Sequence, residues 1–152
     1  MNYNEYKNYF QSIAASHTGI NDFIFDNGHE EVLSHLRSRV DYPVLWLDAY
    51  SNRLSDNKGD QVIGSKTGAL VVMERPTGER YASAIEADCE QIVIDIITKI
   101  RQDWDAGNIH VQFSSFNYAT IQPMFVDGLH GVRLEFVILD PVNLSYVSEK
   151  WT

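Results

Sequence analysis

The chain has 152 residues, 44% of them hydrophobic, and 21 Asp and Glu against 12 Lys and Arg give a formal charge of −9. That length buries one core with little left for a second, and the acidic balance opposes sequence-specific DNA or RNA binding, which needs a concentrated basic surface. No apolar run reaches the roughly 18 residues needed to cross a bilayer, and the opening MNYNEYKNYF lacks the basic-then-apolar order of a secretory leader. The expectation is one domain over residues 1–152, made in a cytoplasm, with no membrane partner.

Residues Tyr3 to Ala15 predict a helix with Tyr6, Tyr9, Phe10 and Ile13 on one face. Phe23-Ile24-Phe25 is a short apolar insert before the turn residues Asp26-Asn27-Gly28. Glu30 to Arg37 reads as a second short helix, capped by Asn27, with Val32, Leu33 and Leu36 inward. Pro43 stops further helix, so Val44-Leu45-Trp46-Leu47 is expected as a strand ending near Asp48 or Tyr50; it is apolar on both faces and therefore interior. The polar stretch SNRLSDNKGDQVIGS, with a loop placed over residues 51–66, is expected to be flexible or ordered by a partner. Gly68 to Glu74 is the next strand, ended by Arg75-Pro76-Thr77-Gly78.

Tyr81 to Trp104 is the sharpest pattern in the chain. Ile85, Cys89, Ile92, Val93, Ile96, Ile100 and Trp104 share one side of a helix, while Asp88, Asp95, Lys99, Arg101 and Asp103 fall away from it. Ser83 and Glu86 have capping-box spacing. The period then changes to 2: Ile109, Val111 and Phe113 alternate with polar residues, followed by arms Ala119 to Val126 and Gly131 to Leu139 around the turn Asp127-Gly128-Leu129-His130. Pro123 marks its arm as an edge or bulge, and Pro141 is expected to stop the second arm, leaving residues 141–152 as a tail. The order predicts an α+β fold in which a mostly antiparallel β-sheet packs against one long helix, with additional N-terminal helices.

Chemistry is sparse. Cys89, the only cysteine, lies on the apolar helix face and reads as a packed thiol. His17, His29, His35, His110 and His130 form no close ligand pair, so neither a metal site nor a cofactor is implied. Asp48, Glu74 and Glu135 are conceivable acid/base groups for a hydrolase, but general acid/base work needs two carboxylates in one cleft, and solvation or pairing of Glu135 with Arg133 is the simpler reading. Gly64-Ser65-Lys66-Thr67-Gly68 lacks the spacing of a phosphate loop and reads as a tight turn. Tyr3, Tyr50, Tyr118, Tyr146 and Trp151 near element ends suit a protein interface, whereas Trp46 and Phe136 suit the core.

The layout of front helix, paired strands, loop-rich middle, long helix and terminal hairpin, with the phrases YPVLWLDAY and HGVRLEFVILDP, resembles small tail-terminator and head-to-tail connector proteins of tailed phages and prophages. The helix at Glu30 to Arg37 is an addition to that layout. The resemblance covers Tyr3 to Leu139 and implies a structural, non-enzymatic subunit that self-associates into a ring and meets a tail-tube or connector protein. It makes Ser51 to Lys66 a contact loop, with Arg53, Leu54 and Lys58 alongside Tyr50, and the hairpin a second contact, with Tyr118, Met124 and His130 joined by Tyr146 and Trp151. A small regulatory or protein-interaction domain is the alternative, followed by the carboxylate enzyme.

Overall fold

The computed structural model describes residues 1–26, 40–56, 58–59, 61–121, 123, 128–145 and 147–151. The helix expected over Glu30 to Arg37 lies outside them, as do Met124 and Tyr146. The fold is α+β, with two helices and a mixed sheet of six strands among the described residues.

Helix α1 (Tyr3–Ser16) starts where a capping box satisfies its first amides: Glu5 N–H donates to Asn2 Oδ1 at 3.0 Å, and Asn2 N–H donates to Glu5 Oε2 at 2.7 Å. Tyr6, Phe10, Ile13 and Ala14 are buried, and Tyr9 packs at their margin. The Phe23-Ile24-Phe25 insert is a strand, β1 (Asp22–Asp26), and it runs parallel to β2 (Val44–Asp48). The remaining pairings are antiparallel.

The polar stretch after Ser51 is ordered by its own ladder. Strand β3 (Ser51–Asp56) folds back onto β4 (Val62–Glu74), so Gly64 to Gly68 is strand interior and not a turn. Strand β4 takes β2 and β3 in succession along one edge and β6 (His130–Val142) along the other. Between β2 and β3 the count slips. Leu47 faces Leu70 and Ser51 faces Thr67, leaving Asp48, Ala49 and Tyr50 opposite only Gly68 and Ala69, which is a β-bulge.

Along β2 the inward positions facing the helices are Leu45 and Leu47; beyond the bulge the positions sharing that face are Asn52, Leu54 and Asp56. The helix-facing core joins Leu45, Leu47, Leu70, Val72, Val132, Leu134, Phe136 and Ile138 to α1 and α2 (Ala82–Asp105). Val44, Trp46, Val71, Met73, Ile24 and Leu129 make a smaller core on the other face, so β2 is apolar on both sides because both sides are covered. Trp46 and Phe136 are core residues.

The α2 stripe is buried from Ile85 to Ile100. Its C-terminal turn departs from the expected pattern. Asp103 is buried, accepting from Tyr9 Oη at 2.9 Å and from Lys99 Nζ at 2.5 Å, while Trp104 is 39% exposed and stacks on Phe113 with centroids 6.0 Å apart. Two polar partners repay the burial of the carboxylate, which hydropathy alone could not anticipate. The expected capping box at Ser83 is absent because the helix begins two residues earlier, with Tyr81 as N-cap. Arg80 ties this end to the sheet through Glu74 Oε1 at 2.6 Å and through Asp88. Gly107, at φ +75°, ends the helix in the left-handed region that favours glycine.

Residues 109–113 make only an isolated bridge, Val111 to Ile138, before a 3-10 turn at Phe113–Ser115, although Ile109 and Val111 are buried as an alternating pattern requires. Strand β5 (Asn117–Thr120) pairs with β6 at the sheet edge, starting two residues before the expected arm. Pro141 does not stop β6, which continues to Val142. Gln112 N–H donates to Val137 O, and Leu139 N–H donates to His110 O, so odd residues of β6 turn their backbone groups away from β4. A proline at 141 thus withholds an N–H that β4 does not use.

Ile96 is buried, whereas Asp95 is half-exposed with its carboxylate on His17 Nε2 at 3.1 Å. Ile96→Asp is expected to cost about 3 kcal/mol or more by placing a charge in the core. Asp95→Ala is expected to cost about 1 kcal/mol or less. Urea denaturation of the two variants checks the assignment; equal stabilities would mean that the helix faces are wrongly placed.

Candidate interaction surface

The feature that stands apart from the packed body is the β3–β4 ribbon, here called the arm. All six residues of β3 are exposed, and among the described residues no strand pairs with its outer edge. Leu54 and Ile63 are 49% and 39% exposed, on opposite faces of the arm, because Leu54 lies opposite Gly64 and Ile63 opposite Ser55. The turn carries Lys58 at φ 60°, its N–H donating to Asp56 Oδ1 at 2.7 Å. Beside it an open groove of about 500 Å³ runs between Asp56, Val62 and the segment Pro141 to Ser145.

A polar cluster under the N-terminus of α1 anchors the arm. Lys66, which is buried, places Nζ 3.1 Å from Asp140 Oδ2 and 5.5 Å from the centroid of the Tyr50 ring. Asp140 also accepts from the Met1 ammonium. Burial works to raise the Asp140 pKa, but the hydrogen bonds from the Met1 ammonium and Lys66 outweigh it and hold the carboxyl below the usual carboxylate range. Tyr3 stacks on Tyr50 with centroids 4.2 Å apart and donates from Oη to Tyr50 O at 2.9 Å. Tyr6 Oη donates to Asp48 O at 3.0 Å. Gly68 leaves room for this reach, since a Cβ there would sit 2.5 Å from Tyr6 Oη.

The expected interface residues divide accordingly. Arg53, Leu54 and Lys58 are exposed together on the arm. Tyr50 is buried at the junction of arm and body, which corrects its reading as an exposed contact. Tyr118 is 39% exposed on β5, and Trp151 is exposed at the far end of the chain. His130 is partly covered, with Nδ1 3.6 Å from Glu86 Oε1. The sequence reading missed Lys66, Asp140 and Ile63. Lys66 sits in a glycine-flanked polar run and Asp140 beside a proline, so no local pattern marks either as buried or paired.

The carboxylates weighed for catalysis are occupied by ion pairs. Arg133 reaches Asp48 Oδ2 at 3.0 Å and Glu135 Oε1 at 3.5 Å, and Glu74 binds Arg80. Cys89 is buried, and burial pushes its thiol up to about 12. Among the described residues no group of three or more His, Cys, Asp and Glu is arranged to hold a metal ion, and no helix is long and apolar enough to cross a membrane. No protein-family model matches the chain, and no curated protein matches it.

Because the folded Asp140 pKa lies below its unfolded value, Asp140 contributes stability above about pH 4, the ordinary range of a free carboxyl, and that contribution disappears as pH falls through the folded pKa. Asp140→Asn is expected to cost about 1–3 kcal/mol at pH 7, since it leaves Lys66 without its carboxylate, and to flatten the acid limb. Thermal unfolding from pH 7 to pH 2 checks both; an unchanged acid limb in the variant would remove Asp140 from the account.

Proposed function

We propose that this chain is a structural subunit of a phage-tail or prophage-like assembly, a ring-forming tail terminator or connector component whose partners are copies of itself and a tail-tube or connector protein. The observation that carries the reading is the arm. A ribbon whose outer strand is exposed at every position and, among the described residues, unpaired along its outer edge, with one exposed aliphatic side chain on each strand, is a liability in an isolated molecule and an asset in one that pairs with copies of itself. Among the described residues strand β5, exposed at all four positions, leaves a second unpaired edge at the other side of the β6 ladder.

Two different surfaces on one subunit suit head-to-tail contact, which closes into a ring when the rotation between neighbours allows it. Repetition around the ring then multiplies a contact that is modest in a single pair. The carboxylates that a catalytic reading would use are engaged with Arg133 and Arg80, which suits a structural part better than a hydrolase.

Light scattering on the purified chain, alone and after addition of a tail-tube protein, is expected to give a discrete oligomer in at least one condition. A monomer persisting in both would contradict the proposal.

A further inference from the structure

The sheet surface around Arg133 carries more negative charge than it neutralises. One guanidinium is shared by Asp48 and Glu135, and Glu135 remains 57% exposed. On the arm the charged side chains left unpaired among the described residues are cations, although Asp56 and Asp60 keep its formal charge near zero. Arg53 and Lys58 are exposed and, among the described residues, pair with no carboxylate, in a chain where carboxylates far outnumber cations.

These groups do not meet within one molecule. Arg53 lies across the ladder from Ser65, and Ser65 from Leu139, whereas Glu135 is four residues back along β6. At about 3.3 Å per residue and 4.8 Å per strand the separation is roughly 16 Å between backbones, beyond the reach of the two side chains toward each other.

We infer that Arg53 of one copy docks against the Asp48–Glu135 carboxylate pair of a second copy, with Lys58 in support. The occupant of the arm surface is thus another molecule of this chain, selected by charge complementarity. The inference rests on the self-assembly reading and names its contact. The acidic bodies repel one another, so the near-neutral arm is the part of the molecule that approaches a neighbouring body at least electrostatic cost. The exposed Ile63, on the same face of the arm as Arg53, adds apolar area, while the ion pair fixes partner and register. Nucleic acid is a poorer match, because two arm cations in a chain of charge −9 do not make a phosphate-binding surface.

A charge-swap experiment on the full chain tests the contact. Sedimentation at low and at high salt is compared for wild type, Arg53→Glu, Glu135→Arg and the double variant. Each single reversal is expected to weaken assembly by about tenfold or more, the double variant to recover most of it, and high salt to weaken wild type. Glu135→Gln, which removes the charge without reversing it, weakens assembly too and serves where Glu135→Arg fails to fold by circular dichroism. An assembling wild type whose single variants assemble equally well overturns the contact and leaves the ring reading standing. A double variant no better than Arg53→Glu alone also overturns it. A wild type that never assembles removes both.

Discussion

Two tyrosine hydroxyls reaching the carbonyls of a β-bulge set the geometry from which the rest follows. A bulge interrupts a ladder and leaves backbone groups without strand partners, and a carbonyl buried in that state costs free energy comparable to a lost hydrogen bond. Tyr6 and Tyr3 donate to the carbonyls of Asp48 and Tyr50 at this bulge. Their rings fill the space above the bulge, and Gly68 keeps the opposite strand out of the way. The same contacts fix where α1 sits, which in turn decides how much of the sheet α2 must cover.

The extra residue also divides the long β2–β3 edge into two functional halves. Before it, alternate residues Leu45 and Leu47 face the helices and are fully buried; after it, the residues on that face are Asn52, Leu54 and Asp56, all exposed. One strand edge therefore belongs to the core and its continuation to the solvent. The Lys66–Asp140 pair stands at the boundary, and its burial beside Tyr50 makes the root of the arm a fixed direction. An arm held at a defined angle presents the same surface on every copy, as the assembly we propose requires.

Where hydrophobic periodicity was long and unbroken, the sequence was readable. The stripe on α2 from Ile85 to Ile100, the tyrosine-rich face of α1 and the doubly apolar strand Val44 to Leu47 were each legible, because burial on a helix or strand repeats with a fixed period. The failures share a different cause. Asp103 is inside because Tyr9 and Lys99, distant or polar in sequence, meet it there. Strand β3 is made of Ser, Asn, Arg, Leu, Ser and Asp, a composition that reads as loop, and forms because β4 offers a complete ladder. Tyr50 resembles a surface aromatic until Tyr3 stacks on it. Candidate contact residues on the arm were legible as exposed polar positions; the bulge that aims them was not, since its single extra residue is visible only in the register.

The most direct test is a double-mutant cycle between Tyr6→Phe and Gly68→Ala, followed by urea denaturation. Loss of the hydroxyl is expected to cost about 1 kcal/mol. The added methyl is expected to cost about 2 kcal/mol or more, because it meets Tyr6 Oη at 2.5 Å and the Phe136 ring at 2.8 Å. In combination the two should fall short of additivity by about 0.5 kcal/mol or more, since the phenylalanine vacates part of the space the methyl needs. Strict additivity, or a Tyr6→Phe variant as stable as wild type, would contradict a bulge held open by the tyrosine hydroxyl.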